Sequence, residues 1–446
     1  MLDSVRLPGT LLAIFLCLLA VMAPLAGANL VQGMDRTRGE QPDRYFVVFE
    51  TTPGEAERRI VESSGGEVRH TYTVVPALSA YLPTRTLLAL EGNPDIVRIE
   101  PVIDAVPDEQ EQASAQGYQW GVTNVGAHRI HEEGYFGKGK TVAVLDTGID
   151  ENHPHLNVVR GVDCTEPGCP DGQQDGHGHG THVAGTIAAT IDSPVSGVAP
   201  GADLYAVKVL RDHDAGGFTD DMLAGIQWAA ENAAHITNNS YGFDQEPAGS
   251  TLLEAFARTY EDGLLHVSSA GNSGNEAGLG NNVTCPARYD SVIAVAATDG
   301  DDERRSTSST GPSLEITAPG EQIESTAPRH ADNSDTSTRK SSGTSMAAPH
   351  VSGVAALAWA ANPNLSNEAI RELLVETAHE LGDADLYGHG LVRAWPAVTA
   401  ALSAPTSSQD DVRDEIRGAV AFDEVTTPQC APVEPDKKIR ATNWRN

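Results

Sequence analysis

Lysine is nearly missing from this chain of 446 residues: only Lys138, Lys140, Lys208, Lys340, Lys437 and Lys438 contribute to the 30 basic residues, against 62 acidic ones. The formal charge of −32 excludes nucleic acid as a partner, because phosphate binding depends on clustered cations. A carboxylate-rich surface repels itself in dilute solution, and salt screens that repulsion, with a Debye length of about 3 Å at 1 M. Two readings follow, a salt-adapted (halophilic) protein or simply an acidic secreted one. Cysteine is scarce too. Of five, Cys17 lies in an N-terminal apolar run, leaving Cys164, Cys169, Cys285 and Cys430, which admit three pairings. No second Cys or His pair stands at ligand spacing around them, which argues against a zinc site. In an oxidising compartment Cys164 and Cys169 of CTEPGC would close a small surface loop; free buried thiols are the alternative. There is no internal repeat and no second apolar run of spanning length.

What is present begins with Arg6, an apolar run from Leu11 to Leu25, and the small residues Ala26-Gly27-Ala28. This pattern reads as an export signal over 1–28, since the run is shorter than the roughly 20 residues that span hydrocarbon. It implies a secreted, extracellular protein without stable membrane association. A polar linker over 29–42 follows. Residues 43–106 then read as a small α+β domain: strand Arg44–Phe49, helix Glu55–Ser63, strands Glu67–Val75 and Ala77–Leu82, helix Thr84–Glu91, strand Ile96–Ile99. The acidic stretch over 107–118 reads as an exposed linker. From 119 to 402, apolar runs alternate with amphipathic helices. The runs are Thr141–Leu145, Ala202–Val209, His235–Asn238, Leu264–Ser268 and Val292–Ala296, and they imply an α/β domain with a mainly parallel sheet covered on both faces. Reactive groups in such folds gather at the carboxyl ends of the strands. A charged tail occupies 403–446.

Three motifs carry chemistry. Asp146 ends a buried strand in VAVLDTGID, where a carboxylate needs a partner; by itself it also fits a turn cap. His179 precedes a small-residue helix in GHGHGTHVAGTIAA, while His177 and His182 beside it leave a metal cluster open as a second reading. Ser345, in SSGTSMAAPHVSGVAALAWA, enters a long helix whose unpaired N–H groups favour a developing anion; alone it also fits an N-cap. The order Asp, His, Ser in one chain is the order found in subtilisin.

DTGID, HGTHVAGT and GTSMAAPHVSG resemble the three signature blocks of the subtilisin-like serine proteases (family S8, halolysin-type). The likeness extends over 119–402, and 43–106 is similar to the family's inhibitory I9-type propeptide. The resemblance implies a subtilisin-like three-layer fold preceded by a ferredoxin-like propeptide domain. It also implies a secreted endopeptidase with Asp146, His179 and Ser345 as triad and Asn272 as oxyanion-hole donor. Ser240, Tyr241 and Gly242 would pair with extended substrate. Ser269, Ala270 and Gly271 would wall the primary pocket and Thr284 would lie near its floor, taking a medium or large apolar side chain. Partners are protein and peptide substrates and the chain's own propeptide, acting as intramolecular chaperone and inhibitor; a monomer is expected, with maturation somewhere in 107–118. No cofactor is needed for the chemistry. A structural calcium is possible, but His155 replaces the carboxylate of the usual first site and the loop ATIDSPVSGVAP is one residue short, so metal ligands stay unassigned. Three rivals remain: an inactive binding member, an esterase or amidase of another fold, and a metal hydrolase built on the three histidines.

Overall fold

The computed structural model describes residues 43–90, 92–107, 110–112, 119–244, 250–329 and 337–405. The expected signal and first linker and most of the expected tail lie outside them. In the strand Asp43–Phe49 alternation decides the packing. Val47 and Phe49 face a cluster with Val61, Leu78, Leu82 and Leu90, while Phe46 and Val48 join Tyr72 and Ala77 in the core of the following domain. The antiparallel sheet runs in the order Glu67–Thr71, Ala77–Leu82, Asp43–Phe49, Ile96–Pro101, with helices Glu55–Ser63 and Thr84–Leu90. The strand expected to reach Val75 stops at Thr71, because Tyr72 N–H donates to Ala77 O and Ala77 N–H to Val75 O in a tight turn that contains Pro76, which has no N–H to offer.

The larger domain holds the expected parallel sheet, seven strands in the order Ile316–Pro319, Val292–Thr298, Leu265–Ser269, Ile236–Asn239, Thr141–Asp146, Asp203–Lys208, Val158–Asp163. Every neighbouring pair is parallel. Its central strands are buried throughout; Thr141–Asp146 and Val292–Thr298 are mainly apolar for that reason, while the polar side chains of Ile236–Asn239 are paired with neighbours. Val142 and Val144 point to the layer containing helices His179–Ala188 and Thr344–Ala361. Ala143 and Leu145 point to the layer of helices Thr219–Glu231 and Thr251–Glu261. The three-layer α/β fold is thus that of the expectation. Two edge strands, Ile316–Pro319 and Val158–Asp163, are additions to it.

The stretch over 107–118 is not wholly a linker. Asp104–Pro107 pairs with both Gly217–Phe218 and Tyr241–Gly242, and Gln110–Gln112 pairs with Thr338–Ser342. Sheet edges supply unpaired backbone groups, and polar side chains are no obstacle to a strand held by main-chain bonds. Cys164 and Cys169 form a disulfide; Cys17 and Cys430 lie outside the described residues. Among these residues no helix is long and apolar enough to cross a membrane.

Candidate active site

Asp146 is the last residue of its strand and His179 the first of its helix. Both are fully buried, and His179 Nδ1 lies 2.7 Å from Asp146 Oδ1. Close approach of the two segments depends on glycine: a Cβ at Gly180 would fall 2.0 Å from Gly148 O. Gly178, just before His179, takes φ +102°, the left-handed region that glycine occupies without penalty.

Asp175, which the motif reading passed over, orders this corner. Its Oδ1 accepts from Gly178 N–H at 2.6 Å, His177 N–H at 3.0 Å and the Thr147 hydroxyl at 2.9 Å. Its Oδ2 accepts from Thr181 N–H at 2.9 Å and from the Thr181 hydroxyl at 2.6 Å. The carboxylate thereby caps the helix that starts at His179 and ties it to the residue after Asp146. A sequence signal existed, an Asp close ahead of a helix start.

The three histidines do not converge. His182 is buried inside the helix with Nε2 3.0 Å from Ile323 O. Burial, and then Arg339, hold its pKa well below the ordinary value, so it stays neutral. Among the described residues the one group close enough to share an ion is His70, Asp220 and Asp221, and there the guanidinium of Arg44 is 3.0 and 2.9 Å from the two carboxylates.

Ser345 is the second residue of its helix and fully buried. Pro349, inside the same helix, has no N–H to give to the Ser345 carbonyl four residues back. The Ser240 hydroxyl donates to that carbonyl instead, at 3.0 Å, and the Ser345 hydroxyl donates to Ser240 O at 3.0 Å. Asn238 Nδ2 donates to Ser240 Oγ at 2.9 Å, completing the link between strand and helix. Beside them Asn272 Oδ1 accepts from Thr344 N–H at 3.2 Å, which orients its amide. Asn272 Nδ2 is buried and has no partner among the described residues, a donor whose desolvation only a bound acceptor would offset.

The residues expected around substrate come together here. Tyr241 and Gly242 present backbone to Pro107 and Val106, while the Tyr241 side chain is buried, its hydroxyl donating to Asn239 Oδ1 at 2.9 Å. Ser269, Ala270 and Gly271 leave the end of their strand toward the serine, and Gly271 N–H donates to Thr344 Oγ1 at 3.1 Å. Thr284 N–H donates to Ala270 O at 2.9 Å, and a Cβ at Gly271 would stand 2.9 Å from the Thr284 side chain. Farther off, His155 Nδ1 is 3.2 Å from Thr190 Oγ1, an imidazole where a hard cation asks for oxygen.

Chemically, the arrangement offers a hydroxyl at a helix N-terminus, an imidazole oriented by a buried carboxylate, and a spare amide donor. Residues 137–390 match the family model described as the subtilase family. The chain is 40% identical over 381 residues to the thermostable alkaline protease of Halalkalibacterium halodurans, covering 84% of this chain and 98% of that protein. It is 44% identical over 330 residues to the M-protease of Shouchella clausii, covering 74% and 80%. Among solved structures, fervidolysin from Fervidobacterium pennivorans, a keratinolytic enzyme related to subtilisin, superposes with a TM-score of 0.69 at 28% identity. The match covers 84% of this chain and 63% of the fervidolysin chain, somewhat under two thirds of its length.

Proposed function

The chain belongs to the subtilase family and is a subtilisin-like serine endopeptidase; we propose that Asp146, His179 and Ser345 are its catalytic triad, working on proteins outside the cell after export as a precursor. Ser345 Oγ attacks the substrate carbonyl carbon while His179 takes its proton, then returns it to the leaving amine; water hydrolyses the acyl-enzyme by the same steps. Asp146 keeps the Nδ1–H tautomer facing it and stabilises the imidazolium. Asn272 Nδ2 and the Ser345 N–H receive the oxyanion. The observation that carries this reading is the 2.7 Å bond between two fully buried groups, Asp146 and His179, a pairing that offsets the cost of burying each.

Substrate would bind as an added strand on Ser240–Gly242, giving broad specificity, with Ser269–Gly271 and Thr284 around a medium or large apolar side chain. No metal is needed for these steps. A structural calcium at the usual first site is disfavoured by the engagement of His155 with Thr190, and other calcium ligands stay unassigned. The domain over 43–106 serves as chaperone and inhibitor until self-cleavage, and its continuation along Tyr241–Gly242 supports that role. The test compares precursor processing and casein hydrolysis by the wild type and Ser345→Ala in high-salt buffer. A mutant that stays whole and inactive is expected; equal casein hydrolysis by both would overturn the assignment.

A further inference from the structure

We infer that Arg339 and Ser341 form a carboxylate-binding subsite on the leaving side of the scissile bond, so that the enzyme favours proteins with Asp or Glu a few residues beyond the cut. The inference rests on the substrate reading above and names a side-chain class for it. The strand Thr338–Ser342 runs straight into Gly343 and the helix of Ser345. One of its edges is taken by Ile323–Thr326. The other accepts an extended chain, for the backbone of Gln110–Gln112 pairs with it antiparallel, Gln110 opposite Ser342, Glu111 opposite Ser341 and Gln112 opposite Lys340. A substrate strand on that edge in the same register has one residue opposite Ser341.

Side chains along a strand alternate between faces, so that residue shares its face with Ser341 directly across and with Arg339 on the diagonal. Directly opposed Cβ atoms lie about 5 Å apart and diagonal neighbours about 7–8 Å, within reach of a long side chain. Both residues suit a carboxylate. Ser341 is fully buried and its hydroxyl has no partner among the described residues, a donor whose desolvation a bound acceptor offsets. Arg339 brings a guanidinium, whose fork matches a carboxylate through two parallel bonds.

The guanidinium also lies at the catalytic corner. A Cβ at Gly178, the residue before His179, would stand 3.2 Å from Arg339 Nη1. Lys340 is the poorer candidate, because it belongs to the other face and stands opposite the buried Glu324, whereas Arg339 and Ser341 stand opposite Ser325 and Ile323. In a chain of −32 formal charge this cation is a local reversal of sign on the path by which the substrate leaves the serine.

Internally quenched peptides of one sequence test this on the casein-hydrolysing enzyme, with Glu, Gln or Lys placed in turn at each successive residue beyond the cut and the cut bond located by mass. At 0.1 M salt kcat/KM should favour Glu over Gln by about tenfold at one position, the effect of one charge-assisted hydrogen bond, and the ratio should shrink at molar salt. Arg339→Gln should bring the ratio close to one and Ser341→Ala should lower it in part. Arg339→Lys should keep a smaller preference, since the charge stays and the fork is lost. Ratios taken within one variant cancel any loss of folded enzyme. Equal rates for Glu and Gln at every position in the wild type, or a Glu preference that Arg339→Gln leaves intact, overturn the inference and leave the triad standing. A wild type that cuts none of the peptides overturns the substrate reading and this inference together.

Discussion

Asp175 accepts from Gly178, His177 and Thr181 N–H groups and from the Thr147 and Thr181 hydroxyls, so one buried carboxylate joins the turn after Asp146 to the helix that begins at His179. Asp175→Ala would leave those donors unpaired in a buried place, where each costs about 1–3 kcal/mol. A loss of several kcal/mol in denaturant stability is expected, together with a lower kcat and little change in KM, since substrate touches none of these groups. A change in KM alone would contradict the positioning role. Asn272 acts differently. Its Nδ2 has no partner among the described residues and its Oδ1 accepts one N–H, that of Thr344, so Asn272→Ala should cost only about 1–3 kcal/mol of stability while kcat falls about 10²- to 10³-fold, the loss one oxyanion donor carries in subtilisin itself. Steady-state kinetics beside a melting curve separates the two residues.

At the level of elements, the strand that carries Arg69 and the helix that begins at Thr219 meet through charge. Arg69 Nη2 lies 2.9 Å from Asp221 Oδ1 and also donates to Thr165 O at 3.0 Å, inside the loop closed by Cys164 and Cys169. Arg44 bridges Asp220 and Asp221 and stacks on Phe218, 3.9 Å from the ring centre. Burial, and then Asp221, push the Asp220 carboxyl up; burial works against the Arg44 charge, but the two carboxylates more than offset it. Breaking one member of such a buried network costs about 3–5 kcal/mol. If the first domain leaves after cleavage, as the proposed maturation requires, the two carboxylates would stand hydrated in the first turn of a helix, where negative charge is favoured. An Arg69→Ala precursor should therefore release its first domain sooner after cleavage, shortening the lag before casein hydrolysis severalfold. An unchanged lag would show that the charge cluster does not hold the domain.

For the whole molecule, pH and salt act through different groups. His266 is buried between the Thr237 and Thr259 hydroxyls, and burial lowers its pKa to about 3. Burial likewise lowers His350 to about 4. Above the ordinary value of 6.5 both folded and unfolded chains hold these rings neutral. Below it the unfolded chain takes up protons that the fold refuses. Stability should fall as pH drops from about 6.5 toward 4, by up to about 1.4 kcal/mol per unit for each histidine. Denaturant midpoints at pH 8, 6 and 5 check the slope, and His350→Asn should flatten it. The −32 charge predicts a separate response: unfolding midpoints and activity should rise between 0.1 M and molar salt as carboxylate repulsion is screened. Curves that coincide at the two salts would rule out salt adaptation.

The central strands and the three motif segments were legible in the sequence because their physics is local. Fully buried parallel strands such as Thr141–Asp146 and Val292–Thr298 are mostly apolar, and glycine and small residues mark where a helix must start close to a strand end. The edge strands Val158–Asp163 and Ile316–Pro319 were not, since Arg160, Asp163 and Pro319 are tolerated only because a neighbour supplies the pairing on one side. The spare carbonyl of Ser345 is implicit in Pro349, yet nothing in the chain order says that Ser240 takes it. Likewise Gln110–Gln112 reads as solvated linker until the edge at Thr338–Ser342 is beside it. The sequence by itself determined which residues have the chemistry and which segments are core. Tertiary structure alone decided which partner each polar group meets and which sheet edges the segments Asp104–Pro107 and Gln110–Gln112 join, because those contacts join residues far apart in sequence through backbone groups that every residue type carries alike.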